Sequence, residues 1–171
     1  MRPVATALFV VFVVHAVCLS APSSEAVYRS AQIDREGQLH LLLASGRQFV
    51  PHRLKGQVSF SHVSISEDGH TAGWLVGYAD PGATSDKADD LSGTLVLYRN
   101  GHQLRRFDTE QVFWDWKFVD RGGKVAYCTG PTHGGAADCL LRDLQTGKVT
   151  ARWTVEKDDA HVPVWARGMH Y

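Results

Sequence analysis

The chain has 171 residues, with 18 Lys or Arg balanced by 18 Asp or Glu, and 44% of it is hydrophobic. Neutrality excludes the basic footprint of a nucleic-acid binder and the acidic run of a solvating tail, so partners are chosen by shape and local chemistry. A chain of this size makes one domain with its own core.

The opening, "MRPVATALFVVFVVHAVCLSAPSSEA", has one cation (Arg2), an apolar run from Ala5 to Leu19 and then small residues. That layout predicts a secretory signal peptide over 1–26, cleaved after Ser24-Glu25-Ala26 and before Val27. An uncleaved anchor is the competing reading, but the run falls short of the roughly 18 to 20 residues that span a bilayer, and His15 interrupts it. A lipoprotein signal at Cys18 is disfavoured because His15 and Val17 occupy the positions where it needs a Leu-like and a small residue. No later segment is apolar enough to span a membrane. The leader carries Arg2 and Glu25, so residues 27–171 remain neutral; they are predicted to be secreted or periplasmic.

Beyond the leader the pattern is that of strands. "LHLLLASGRQFVPHR", turning at Ser45-Gly46, has the look of two strands. "VSFSHVSI", the turn "SEDG" and "HTAGWLVGY" follow, then a polar loop, "GTLVLYR", the turn Asn100-Gly101 and "HQLRRF". From Val112 the plan repeats: "VFWDWKFV", the turn "DRGGK", "VAYC", a glycine-rich loop, "CLLRDL", "QTGK" and "VTARWTV". Period-two alternation with aromatic and β-branched residues between Gly and Asp turns marks half-buried antiparallel strands. In "VFWDWKFV" strict alternation predicts Trp114, Trp116 and Phe118 inward and Asp115 and Lys117 outward. The chain is therefore read as one all-β domain over 27–171, with four-stranded repeats at about 58–108 and 112–155 and partial units on either side.

The segments "VSISEDGHTAGWL" and "LRDLQTGKVTARW" resemble the blades of β-propellers of the broad WD-repeat and TolB-type superfamily. The resemblance covers about Leu39 to Trp165. It implies four-stranded blades, but propellers close with about four to eight of them. This chain supplies two whole units and two partial ones, so the expectation is an incomplete propeller or a β-sandwich-like stack of hairpins. The terminal segments, "LHLLLASGRQFV" and "VPVWARGM", read as too apolar to be solvated caps, which predicts that a sheet face or edge meets a protein partner or a second copy. The rival outcome is that these segments pair with each other.

Cysteine chemistry follows from export. Once Cys18 leaves with the leader, Cys128 and Cys139 remain, an even pair in an oxidising compartment and so a disulfide. They form neither a C-x-x-C redox motif nor a zinc-type cluster. Placed at the end of one predicted strand and the start of the next, they face each other across a hairpin mouth.

Catalytic and phosphate-binding signatures such as G-x-S-x-G, H-E-x-x-H, the P-loop and G-x-G-x-x-G are missing from the sequence. Two loops remain as candidate sites. Ala79 to Ser92 holds Asp80, Asp86, Asp89 and Asp90, hard oxygen donors suited to calcium, although without EF-hand spacing. Its plainer reading is a solvated insertion. The loop between the cysteines holds His133 and Asp138, a possible base or metal pair, or simply exposed side chains. His52, His62, His70, His102, His161 and His170 are scattered without ligand spacing. Of the 5 tryptophans, Trp74, Trp114, Trp116 and Trp153 sit on alternating strands and are assigned to the core. Trp165 is the candidate binding aromatic. The leading expectation is a non-catalytic β-repeat binding or assembly module without a cofactor. The alternatives are a small hydrolase or metal-dependent enzyme at the 128–139 loop, and a carbohydrate-binding module using exposed Trp.

Overall fold

The computed structural model describes residues 26–79, 91–132, 135–155 and 161–170. Among these the protein is all-β, with three antiparallel sheets, none closed into a barrel. The first sheet is β1 (Tyr28–Ile33), β2 (Leu39–Leu43) and β3 (Gln48–Phe49). The second is a meander of β4 (Gln57–Ile65), β5 (Thr71–Tyr78), β6 (Leu91–Arg99) and β7 (His102–Asp108). A second meander, β8 (Val112–Val119), β9 (Lys124–Gly130), β10 (Asp138–Asp143) and β11 (Val149–Thr154), forms the third sheet. Blade-like four-stranded units thus recur, with each strand bonded to its sequence neighbour. No helix among the described residues is long and apolar enough to cross a membrane.

The first sheet has three strands where the sequence suggested two. β1 reads "YRSAQI", and only Tyr28 in it is buried, so no apolar alternation announces it. Its place is secured by backbone bonds from Tyr28 N–H to the Gly69 carbonyl (2.7 Å) and from Ala44 N–H to the Val27 carbonyl (2.7 Å).

Two apolar layers separate the three sheets. Tyr28, Leu39 and Leu41 of the first sheet meet Phe60, Trp74, Val76 and Val96 of the second. On its other side the second sheet presents Leu75, Leu95 and Leu97 to Phe113, Trp116, Val125 and Tyr127 of the third. β5 is consequently buried on both faces, which explains the nearly continuous apolar run "AGWLV".

At β8 the strict alternation fails. A bulge between Phe113 and Asp115 sets two residues opposite one on β9. Phe113 thereby joins Trp116 and Phe118 in the layer against the second sheet, while Trp114 falls on the face of Asp115 and lies over Gly130. A Cβ on Gly130 would meet the Trp114 ring at 2.5 Å, so the residue without a side chain is what receives the displaced indole. Trp74 and Trp116 are buried as expected, whereas Trp114 and Trp153 are only half-buried. Trp153 packs on the opposite face of the third sheet, outside the two interlayer cores.

Polar contacts join the second and third sheets. The Trp116 indole N–H donates to the His62 carbonyl (2.9 Å), which a left-handed backbone at His62 (φ 46°) and a register shift in β4 turn toward it. Arg105 donates through Nε to the Leu144 carbonyl (3.1 Å) and through a second nitrogen to the Gln145 carbonyl. Arg99 spans Thr71 Oγ1 (3.0 Å) and the Gly122 carbonyl (3.4 Å).

Each terminal segment buries part of its apolar content and leaves part exposed: Leu42 (37%) and Val50 (42%) in the first, and Val164 (74%) in the second. Leu39 and Leu41 point into the first interlayer core, leaving His40, Leu42 and Gln48 on the outer face. Residues 161–170 lie as a strap across the outer face of the third sheet, with Ala166 and Met169 buried against Ala126, Cys128, Cys139 and Leu141. Asp115 Oδ2 accepts the His170 N–H (2.9 Å), and Lys117 Nζ donates to the Arg167 carbonyl (2.5 Å). The two segments do not pair with each other, because they belong to opposite ends of the stack.

Candidate functional site

Each predicted site residue can now be placed. His133 lies outside the described residues, as do Asp80, Asp86, Asp89 and Asp90. Asp138 opens β10, and its Oδ1 accepts the Thr154 hydroxyl (2.7 Å). Cys128 and Cys139 are directly opposite in register and disulfide-bonded, with alpha carbons 4.0 Å apart. Both are fully buried beneath the strap. Among the described residues no group of three or more His, Cys, Asp or Glu side chains is arranged to hold a metal ion.

The flanks of the two predicted loops leave the sheets at one end. Tyr78 pairs with Leu91 where β5 and β6 meet the first loop, and Gly130 and Asp138 border the second. The β4–β5 and β8–β9 turns meet at the other end, where a Cβ on Gly122 would meet Ser66 at 2.6 Å. Beside the first loop a polar chain runs from Tyr78 OH to Thr94 Oγ1 (3.3 Å) and on to Asp108 Oδ1 (2.7 Å), which also accepts Arg106 Nε (2.8 Å).

A histidine and carboxylate do meet, but on the first sheet. His40 Nε2 lies 2.6 Å from Asp34 Oδ2, and Gln48 Nε2 lies 2.5 Å from His40 Nδ1. The sequence reading passed over His40. Its only signal is position, since the β1–β2 turn folds Asp34 back beside it. Both ring nitrogens are engaged, so neither offers a lone pair to a substrate proton. The Gln38 N–H and then the His40 contact hold the Asp34 carboxyl below its ordinary range.

Two turn carboxylates behave alike. Burial alone would raise the Asp68 carboxyl, yet the Ser66 hydroxyl (2.6 Å) and the His70 N–H (3.0 Å) hold it low. The backbone N–H and then the hydroxyl of Thr146 lower Asp143. A carboxylate depressed in the folded state gives its full contribution above its unfolded pKa and loses it as pH falls through the folded value. Stability is therefore expected to stay level from neutrality to about pH 5 and to fall below about pH 4. Urea melts across that range check this, and Asp68→Asn should flatten the decline.

The built cavity nearest to a predicted binding residue is a cleft of about 430 Å³ between the strap and the third sheet. Its floor is Val119 and Leu141, and its wall is Val164 with Trp165, the latter half-buried. Lys117, Phe118, Asp120 and Lys124 complete the lining. β8 and β9 place Val119 opposite Lys124 and Lys117 opposite Ala126, which puts both lysines on one face. The Lys124 ammonium touches Asp120 Oδ2 (2.5 Å). Val164 is 74% exposed, an apolar side chain held at the rim by the short turn Val164–Ala166. An apolar body with a few polar groups at its mouth is the usual composition of a ligand site, and the volume lies in the usual range. Sequence reasoning singled out Trp165 but missed the lysines, which come from a different part of the chain and meet Trp165 only when the strap docks.

In comparisons with known proteins, no protein-family model and no curated protein matches the chain.

Proposed function

We propose that the protein is an exported, non-catalytic β-repeat binding module, built like an incomplete propeller, that holds its ligand in the cleft between the strap and the third sheet. The observation that carries this reading is the cleft itself: an aromatic wall, an aliphatic floor and charged groups at one mouth, all on rigid strands and a pinned strap. Export is supported by the leader pattern of residues 1–26 and by the buried disulfide.

Two measurements test the proposal. Intact mass of the protein recovered from the medium or periplasm should show a chain beginning at Val27, and a retained leader counts against export. Amide NMR of the isotope-labelled protein against a library of aromatic, aliphatic and sugar fragments should give shifts gathered at Lys117, Lys124, Leu141 and Trp165. Shifts scattered elsewhere, or turnover of an ester or glycoside substrate abolished by Asp138→Asn, would overturn the reading.

A further inference from the structure

Resting on the proposed binding role of this cleft, we infer that its ligand class is a small carboxylate with a flat apolar body, the carboxylate held by Lys117 and Lys124 and the body lying against Trp165. The lining sets two ammonium groups against one carboxylate, Asp120. The other acids on this face are Asp115, which accepts the His170 N–H through Oδ2, and Asp143, which sits opposite Lys124 in register and accepts the Thr146 N–H and hydroxyl through Oδ1. Lys117 gives one donor to the Arg167 carbonyl and Lys124 one to Asp120. An ammonium has three N–H donors, so each retains capacity for an incoming anion. The two lysines are diagonal neighbours on adjacent strands, a spacing of roughly 7 Å that long side chains can bridge. That leaves a divided pocket, with Lys117, Lys124 and Asp120 along the β8 and β9 side and Leu141, Val164 and Trp165 on the other. A ligand lacking charge satisfies only the second half, and a cationic one is opposed by the first.

Three matched probes separate these possibilities: 3-phenylpropionate, 3-phenylpropan-1-ol and 3-phenylpropylamine, titrated into the full exported chain and followed by amide NMR. The carboxylate is expected to bind about fivefold more tightly than the alcohol, with the advantage shrinking as salt is raised. Lys124→Gln should remove most of that advantage, and Lys124→Arg should restore it. Trp165→Ala should weaken both. Equal binding of acid and alcohol at the cleft, or tighter binding of the amine, overturns the carboxylate class and leaves the binding module standing. Failure of all three probes, at millimolar concentration, to shift Lys117, Leu141 or Trp165 overturns the cleft as a site for this class, and the fragment library then decides the broader reading.

Discussion

Replacing Trp116 with Ala should lower the stability of the fold by about 3 to 5 kcal/mol, the usual cost of emptying a buried aromatic site. The indole is 5% exposed and packs edge-on against Phe118. It also reaches across the interlayer space to Gly73, where an added Cβ would meet the ring at 2.6 Å. Truncation therefore opens a cavity between two sheets and strips the His62 carbonyl of its donor. Trp116→Phe separates the contributions, since it keeps much of the packing and loses the hydrogen bond, worth about 1 kcal/mol. Gly73→Val should be damaging from the other side, because its side chain would need the space the ring fills. Urea denaturation of the three variants is the check. A loss below about 1 kcal/mol for Trp116→Ala would mean that the ring does not bridge the sheets.

The second large effect is expected at the disulfide. Cys128 and Cys139 are 11 positions apart, and closing a loop of that size constrains the unfolded chain by around 3 kcal/mol in the chain-entropy account. The double variant Cys128→Ala, Cys139→Ala should lose about 2 to 4 kcal/mol, a large fraction of the stability of a small domain. Because the sulfurs are fully buried under Ala166 and Met169, reduction of the folded protein should be slow and limited by local opening. Thiol labelling with and without mild urea measures it. Rapid reduction under native conditions would mean that the strap does not cover the bond.

The sequence made the strands legible wherever alternation was clean and turns carried Gly or Asp, as in β4 to β7 and β9 to β11. It made the cysteine pairing legible for the same reason, since the strands on either side define a hairpin mouth. Its failures have separate physical causes. β1 escaped because Tyr28 alone of its residues is buried, so backbone pairing at its start, with Gly69, and along β2 holds it without an alternating apolar face. Trp114 was misassigned because a bulge is a departure from alternation, and the reason for it, the bare position at Gly130, lies on another strand. The cleft was half legible. Trp165 stood out as the tryptophan off the regular strands, but nothing in the order of residues announces that Lys117 and Lys124 will meet it. The terminal segments are apolar in part for an internal reason, one supplying Leu39 and Leu41 to a core and the other covering the third sheet with Ala166 and Met169.

The position of the strap also bears on the order in which the molecule matures. A chain emerges from synthesis with its N-terminal parts first, so residues 128–139 are made before residues 161–170. During that interval the hairpin of β9 and β10 can form with both sulfurs still open to a disulfide-exchanging enzyme. Once Met169 and Ala166 settle over the pair, that access closes. Oxidation is therefore expected to be faster before the strap docks than after, since a docked strap leaves the two thiols within reach of an oxidant only when it reopens.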